Sequence, residues 1–161
     1  MTAAAIPPNI PAEWAAYFEP VPENPRRAAV LAEARGWLRT PYHHMGRIKG
    51  GGADCLTFLV EVFERTGLVP PVEVPFYRQD VMFHRGEETY LEGLLGHGRE
   101  VAAPEPGDVV LFQWGRIFGH GGIVLHWPMI VHSCAHAMMV CPGDATQGRL
   151  RGRPVKFISA F

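Results

Sequence analysis

Five short apolar runs fill the second half of the chain, and spacers rich in Gly, Pro and Asp separate them at hairpin-like intervals. These runs predict strands at residues 108–113, 121–126, 129–133, 137–141 and 155–160. The first half of the chain carries helical patterns instead. Helices followed by a set of short strands indicate an α+β fold, in which the helices pack on an antiparallel sheet of about five strands.

Two helices are marked by the residues at their ends. Asn24 is a good N-cap for a helix that starts at Pro25, because proline has no N–H group to lose in the first turn. Thr40 precedes a proline and ends that helix. Asp54 is an N-cap candidate for a second helix, which ends near Gly67. This second helix is apolar around most of its circumference, so we expect it to be buried and central.

The length of 161 residues fits one domain with a single core. Five prolines lie within residues 1–24, which predicts a proline-rich N-terminal arm in front of one domain at residues 25–161. The formal net charge of −1 predicts no nucleic-acid partner. No apolar run is long enough for membrane insertion, and the N-terminus lacks the basic and apolar regions of a Sec-type signal peptide.

Cys55 follows a glycine run and Asp54, so it lies at the predicted start of the buried helix. At that position the helix dipole and unpaired N–H groups favour a thiolate, and the same N–H groups can stabilise an oxyanion. Cys55 is therefore a candidate nucleophile. The alternative is a buried and inert cysteine, because free cysteines are among the most buried residue types.

Two histidines are candidates for the partners of this cysteine. His120 stands at the entry to one predicted strand, and His132 lies near the end of the next, twelve residues later. If the two strands form a hairpin around Trp127 and Pro128, the histidines lie opposite each other at the same end of the pair. A histidine that accepts the thiol proton and a second group that orients its ring are the partners that nucleophilic catalysis uses.

Five segments carry a resemblance to a known family. In chain order they are TPY from residue 40, ADCLTF from residue 53, PGDVVLF from residue 106, GHGGIVL from residue 119 and IVHS from residue 130. In this order the set resembles the NlpC family of bacterial cell-wall cysteine peptidases, which are compact papain-like enzymes. The match spans about residues 28–140.

The resemblance implies a role for each candidate residue. Cys55 would be the nucleophile, His120 the general base and His132 the residue that orients His120. Tyr42 matches a tyrosine that helps to form the oxyanion hole, and Asp54 matches an acid that can meet the free amine of a peptide stem. The substrate would be an amide bond in a peptidoglycan stem peptide, commonly the one between γ-D-glutamate and a diamino acid. No cofactor or metal is implied.

The chain departs from the family pattern in three respects. Leu56-Thr57 stands where the family usually has Ser-Gly, which predicts a narrower substrate groove. The 65 residues from Cys55 to His120 exceed the spacing in compact members, so a flap or partner surface is expected around residues 70–98. There is also no recognisable substrate-targeting domain.

A bare catalytic domain with a proline-rich arm and no signal peptide resembles the family members that are found in phage tails and gene transfer particles. That similarity implies synthesis in the bacterial cytoplasm, tail-tip or baseplate proteins as partners, and action at the cell wall.

Several other interpretations stay open at this point. His132, Cys134 and His136 share one face of an extended strand, and zinc accepts such ligands. Cys134 and Cys141 can pair across a hairpin, although the odd number of cysteines favours free thiols. His43-His44 either rims the substrate cleft or is a solvated loop pair.

Two other function classes also remain. The chain could be a structural or assembly component of a tail with this fold and little activity. It could instead be an acyltransferase with the same three residues, which would need an acyl-binding groove.

Overall fold

A computed structural model describes residues 10–78, 92–94 and 96–161. The helices are α1 (Ala12–Ala16), α2 (Pro25–Gly36) and α3 (Cys55–Arg65). The strands are β1 (Arg47–Ile48), β2 (Gly52–Ala53), β3 (Arg99–Val101), β4 (Val109–Trp114), β5 (Ile117–His126), β6 (Met129–Cys134), β7 (Met139–Asp144) and β8 (Val155–Ser159). Within these described ranges, none of the helices is long and apolar enough to cross a membrane.

The predicted α+β class is confirmed. Six strands form one antiparallel sheet in the order β3-β8-β4-β5-β6-β7, and β1 pairs with β2 in a separate small hairpin. The main core lies between the helices and one face of this sheet. Its fully buried members include Trp37, Phe58, Leu111 and Ile123. The sheet has one strand more than the five expected, because β3 was not recognised in the sequence.

The N-cap of α2 is confirmed. The Asn24 side chain accepts a hydrogen bond from the Arg26 N–H at 2.9 Å, as an N-cap should. The helix ends at Gly36, which is before the predicted stop at Thr40. Three residues after the helix, Arg39 has a φ of 66°. The N–H of Arg39 donates a hydrogen bond to the carbonyl of Val140 on β7. A contact with a distant strand therefore ends the helix earlier than the local sequence does.

Helix α3 is buried and central, as its sequence predicts. Asp54 caps it, and Gly67 follows its last turn with a φ of 73°, a conformation that favours glycine. Phe58, Leu59 and Val62 on this helix have no solvent exposure. The N-terminus of α3, with Cys55 as its first residue, faces β5 and β6 across the core.

Two short pairings were not predicted from the sequence. β3 lies in a segment that we expected to be irregular, and it pairs with β8 at the edge of the sheet. Gly98, just before β3, approaches the Ser159 carbonyl so closely that a Cβ there would lie 2.5 Å from the oxygen. The β1–β2 hairpin lies inside the glycine-rich loop before Cys55. Both pairings are only two or three residues long, which is too short for a periodic pattern to show.

Part of the predicted N-terminal arm contacts the core. Phe18 has an exposed fraction of 3% and belongs to the main core, and Trp14 packs against it. The arm's first nine residues lie outside the described ranges, as do His84 and about half of the expected flap, namely residues 79–91 and 95. The boundary between an arm and a domain at residue 24 stays a prediction.

The hairpin that carries both candidate histidines has a different register from the predicted one. Ile123 pairs with Val131, and His126 pairs with Met129 across a turn of only Trp127 and Pro128. The centre of this short turn lies further along the chain than we expected. His132 is consequently next to Gly122 and reaches His120 diagonally along the same face of the sheet.

Candidate active site

Cys55 is the first residue of α3 and is partly exposed. Its Sγ lies 3.8 Å from the carbonyl oxygen of Gly119, the residue before His120 on β5. The two-residue β2 and the Asp54 cap fix where α3 begins, so they also fix where the thiol enters the cleft. Cys55 and His120 line the same cavity.

His120 and His132 contact each other directly. Nε2 of His120 lies 2.7 Å from Nδ1 of His132, so one ring donates a hydrogen bond to the other. Gly122 makes this possible, since a Cβ at that position would lie 3.3 Å from the Cβ of His132. The bond occupies Nε2 of His120 and leaves Nδ1 as its other ring nitrogen. The sequence prediction that the two histidines meet is therefore matched by their geometry.

Both imidazoles are held in their neutral form. Burial lowers the pKa of His132 to about 4. Burial also lowers the pKa of His120 well below the usual range, and the nearby His132 and Arg153 add to this effect. A neutral His132 accepts or donates a hydrogen bond without carrying a charge, and a neutral His120 can act as a base.

The outer wall beside His120 is formed by an aromatic–cation stack. The Arg153 guanidinium lies 3.6 Å from the centre of the Trp114 ring, and Trp114 lies 5.4 Å from the His120 ring. Arg153 also donates a hydrogen bond to the carbonyl of Gln113 at 3.0 Å. The stack limits the orientations open to His120. This contact of Trp114 with His120 was not predicted from the sequence.

Tyr42 lines the cleft beside Cys55. Its backbone pairs with Ala53, and its N–H donates to the carbonyl of Met138 at 2.9 Å. These contacts hold Tyr42 beside the chain that leads into Cys55. Tyr42 and Cys55 line the same cavity, and the oxyanion role that the resemblance implies for Tyr42 stays a prediction.

Asp54 is buried, and its carboxylate is fully engaged. Oδ1 accepts hydrogen bonds from the N–H groups of Leu56 and Thr57 at 2.9 Å each, and from the Thr57 hydroxyl at 3.0 Å. Oδ2 accepts from the Met45 N–H at 2.8 Å and from the Tyr77 hydroxyl. The N–H groups of Leu56 and Thr57 are therefore used by the cap, although we expected helix N–H groups to be open to an oxyanion.

The two residues that depart from the family pattern have different surroundings. Thr57 is fully buried and completes a capping box, because its hydroxyl accepts a hydrogen bond from the Asp54 N–H at 2.9 Å. Leu56 points into the cleft and is partly exposed. Thr57 therefore adds no bulk to the cleft, and only Leu56 bears on the predicted narrowing.

Two cavities meet at Cys55. We call the first the apolar chamber; it has a volume of about 670 Å³. Its apolar wall includes Leu56, Leu59, Phe63, Val72, Ile117 and Ile158. We call the second the histidine hollow; it has a volume of about 570 Å³. Its wall includes Trp114, His120, His132, Cys134 and Gly143. Tyr42, Cys55 and Gly119 line both cavities, so the thiol lies on their shared border.

The zinc and disulfide alternatives find no support in these contacts. Among the described residues, no three His, Cys, Asp or Glu side chains are placed to hold a metal ion. His132 is engaged with His120 instead. Cys134 and Cys141 are free thiols. A hydrogen bond from the Cys141 thiol, helped by the Ala137 N–H, lowers the pKa of Cys134 to about 5.

Tyr77 and His44 both line the cleft, although no role for Tyr77 was predicted from the sequence. The ring nitrogen Nε2 of His44 donates to the carbonyl of Tyr77 at 2.8 Å, and the two rings meet edge to face at 5.0 Å. His44 therefore rims the cleft, whereas His43 is exposed. Only the paired His43-His44 motif hinted at this contact, because Tyr77 lies in a proline-rich segment without a periodic pattern.

The fold is that of NlpC/p60 domains. The structure matches the NlpC/p60 domain of the peptidoglycan hydrolase SagA with a TM-score of 0.58 and 20% sequence identity, over 83% of this chain and 97% of that one. It matches the peptidoglycan hydrolase RipB from Mycobacterium tuberculosis with a TM-score of 0.59 and 17% identity, over 94% of this chain and 68% of that one.

A third match is NlpC1 from Trichomonas vaginalis, with a TM-score of 0.60 and 16% identity, over 85% of this chain but only 44% of that one. No protein-family model and no curated sequence matches the chain significantly. At these identities the likeness establishes the fold, and the chemistry has to be argued from the site itself.

Proposed function

We propose that this protein, whose fold is that of NlpC/p60 domains, is a cysteine peptidase that hydrolyses amide bonds in peptidoglycan stem peptides. The observation that supports this most strongly is the 2.7 Å contact between His120 and His132 in a cleft with Cys55 at a helix N-terminus. Several of the structures that share the fold are peptidoglycan hydrolases. The substrate class is taken from them.

Acylation begins with a proton transfer from the Cys55 thiol to Nδ1 of His120. This requires that Nε2 of His120 carries a hydrogen and donates it to Nδ1 of His132. Burial keeps His132 neutral, so it can accept this bond and hold the ring in place. The sulfur then attacks the scissile carbonyl carbon, and the hydroxyl of Tyr42, which lines the same cavity as Cys55, is the proposed donor to the new oxyanion.

The tetrahedral intermediate collapses when its C–N bond breaks. His120 gives its proton to the leaving amine, and a thioester on Cys55 remains. Water then attacks the thioester carbonyl while His120 takes a proton from it. The C–S bond breaks, and His120 returns the proton to the Cys55 sulfur. The products are an amine and a carboxylic acid, and the enzyme is regenerated.

Digestion of purified murein, followed by mass analysis of the soluble products, tests this proposal. The wild-type protein should release stem-peptide fragments with new amino groups, and Cys55→Ala should release none. Cys141→Ala is the matched control, because Cys141 is a buried thiol outside the proposed chemistry. Equal release by the wild type and Cys55→Ala would refute the assignment.

A second candidate function is acyl transfer to an amine. The apolar chamber beside Cys55 is the observation that favours it, because an acyltransferase needs a groove for its acyl group. Both candidates share the thioester on Cys55 and differ in what attacks it. Mass analysis in the presence of an added primary amine distinguishes them, because transfer gives an amide and hydrolysis gives an acid.

Action from a phage-like tail particle, with tail-tip or baseplate partners, stays a prediction from the sequence resemblance. The same holds for synthesis in the cytoplasm and action at the cell wall. Detection of the protein in purified particles by mass spectrometry tests this setting, and its absence from them would remove it. A purely structural role is the remaining alternative, and the murein digestion with Cys55→Ala tests it as well, because a structural protein would release no fragments.

A further inference from the structure

The carboxylate beside the nucleophile cannot receive a charged group in this structure. Asp54 precedes Cys55, and its exposed fraction is 1%. Its two oxygens accept five hydrogen bonds, and ionised carboxylates have about four lone-pair sites. An ammonium group of a substrate would have to displace one of these donors. Four of the five come from the cap of α3 and from the backbone of Met45.

Tyr77 supplies the fifth donor and is the only one of the five from outside the loop and helix around Cys55. Its hydroxyl donates to Oδ2, and His44 holds its backbone carbonyl at 2.8 Å. At the start of the same segment, the Val72 carbonyl accepts a hydrogen bond from the Arg47 side chain, and the Val72 N–H donates to the Glu64 carboxylate at 3.0 Å. Side chains of the cleft wall therefore anchor residues 72–77 at both ends.

The neutral state of Tyr77 makes this seal persistent. Burial and the hydrogen bond to Asp54 raise the pKa of Tyr77 above its ordinary range. The hydroxyl therefore keeps its proton, which it donates to Asp54 in this structure. Nδ1 of the His44 imidazole also lies 3.7 Å from Oδ2 of Asp54.

The chamber beyond the seal suits an uncharged group. Its apolar wall runs from Leu56 next to the nucleophile to Ile158 on β8. Three charged or titratable lining residues, Glu73, Arg78 and His97, are exposed to solvent. An ammonium group beside Cys55 would lose its hydration while the carboxylate of Asp54 is already engaged, which is strongly unfavourable. Glu73, the other carboxylate in the described lining, is exposed to solvent instead.

We propose that the apolar chamber binds the acyl side of the substrate and that the amino end of this acyl side is itself acylated. Tyr77 is the residue that selects against a free amine, because it occupies the carboxylate that would otherwise bind it. The substrates are therefore N-acylated peptides, in which an amide replaces the ammonium and its acyl group lies in the chamber. This inference rests on the proposed function, in which Cys55 attacks the amide bond.

Matched peptides that differ only at the amino end test the proposal. L-Ala-γ-D-Glu-L-Lys is compared in three forms, with a free amine, an N-acetyl group and an N-hexanoyl group, and kcat/KM is measured for the γ-D-Glu–Lys bond. The N-acetyl form should exceed the free amine by about tenfold or more. The hexanoyl form should gain up to about fourfold more for each methylene that it buries. An equal rate on the free amine, or a faster one, overturns the proposal.

Tyr77→Phe tests the selecting residue. It frees one hydrogen-bonding site on Oδ2, so kcat/KM for the free-amine peptide should rise about tenfold relative to the N-acetyl peptide. Tyr17→Phe is the matched control, since Tyr17 is exposed outside the cleft and should leave the ratio unchanged. If Tyr77→Phe is folded by circular dichroism and keeps the wild-type ratio, Tyr77 is not the selecting residue.

Calorimetry with Cys55→Ala separates this inference from the proposed function. The three peptides are titrated into the inactive protein, and the order of affinity should be hexanoyl, acetyl, free amine. If this order holds but no peptide is cleaved by the wild type, the proposed chemistry fails and the binding inference stands. If the peptides are cleaved but bind with the reverse order, the inference fails and the peptidase assignment stands.

Discussion

The two cavities that meet at Cys55 differ in what they offer a substrate. The histidine hollow brings two buried imidazoles together at 2.7 Å and lowers the pKa of each. The apolar chamber brings together side chains from α3, the sheet and residues 72–77, and it seals its one buried carboxylate. The hollow is suited to moving protons and the chamber to binding an acyl group. Because Cys55 lies on their shared border, its thiol can exchange a proton on one side and attack a bound acyl group on the other.

Removal of the base should have the largest effect, because His120 is the residue that we propose accepts the thiol proton. For His120→Gln we expect kcat to fall by about 10²–10⁴-fold, while KM for the N-acetyl peptide changes little. Steady-state kinetics on that peptide measure both constants. His97→Gln, at an exposed chamber position, is the control and should keep kcat. A large rise in KM with kcat intact would place His120 in binding rather than proton transfer.

Acidification should lower the free energy of unfolding, because His132 in the histidine hollow is buried in its neutral form. The folded-state pKa of His132 is about 4 and the unfolded value is about 6.5, so the unfolded chain binds more protons between these pH values. Stability is therefore full above about pH 6.5 and falls as the pH drops toward 4. The expected loss from this group by pH 4.5 is about 2.5 kcal/mol.

Urea unfolding of the wild type and of His132→Gln, at pH 7 and pH 4.5, measures this loss. The wild type should lose about 2.5 kcal/mol more than the variant over that range. Equal losses in both proteins would show that His132 is not held neutral by burial.

A methyl group beside His132 should disturb the orientation of His120. In Gly143→Ala the new Cβ would lie 2.8 Å from Nε2 of His132, so the ring has to shift. We expect kcat to fall by about tenfold with KM unchanged. Gly93→Ala is the control, since a Cβ there meets nothing within 4 Å. An unchanged kcat in Gly143→Ala would mean that the position of His132 does not matter for turnover.

The cap that holds Asp54 should contribute modestly to stability. Thr57→Val removes the hydroxyl that bonds both the N–H and the carboxylate of Asp54. We expect the free energy of unfolding to fall by about 1–2 kcal/mol. Thr66→Val at the other end of α3 loses only bonds to the helix's own carbonyls, and it should cost less. The two variants are compared by urea unfolding, and a larger loss in Thr66→Val would contradict the account.

The smallest effect is expected from a substitution of Leu56, the residue of the chamber wall that follows Cys55 in the chain. Leu56→Ser introduces the residue that the family usually has at this position. The rate gain from acetyl to hexanoyl should shrink about two- to fourfold, because less apolar surface meets the acyl chain. Ratios of kcat/KM for the two peptides measure this. An unchanged ratio would mean that the acyl group does not contact Leu56.

The hollow could be predicted from the sequence far better than the chamber. The caps at Asn24 and Asp54 follow from local chemistry, and the spacing of His120 and His132 places both on one face of a hairpin. Even there the register was wrong, because a two-residue turn set its centre. The chamber has no such local signal. Tyr77 meets Asp54 across 23 residues of sequence, and only tertiary packing brings them together.

The central claim is that Cys55 carries the acyl group during turnover. Rapid acid quenching of the reaction with the N-acetyl peptide, followed by intact-mass and peptide mapping, tests it most directly. The account predicts an adduct with the mass of the acyl unit on the peptide that contains Cys55, and no adduct in Cys55→Ala. An adduct on Cys134, whose pKa is lowered by the hydrogen bond to Cys141, or turnover by Cys55→Ala at the wild-type rate, would contradict this claim.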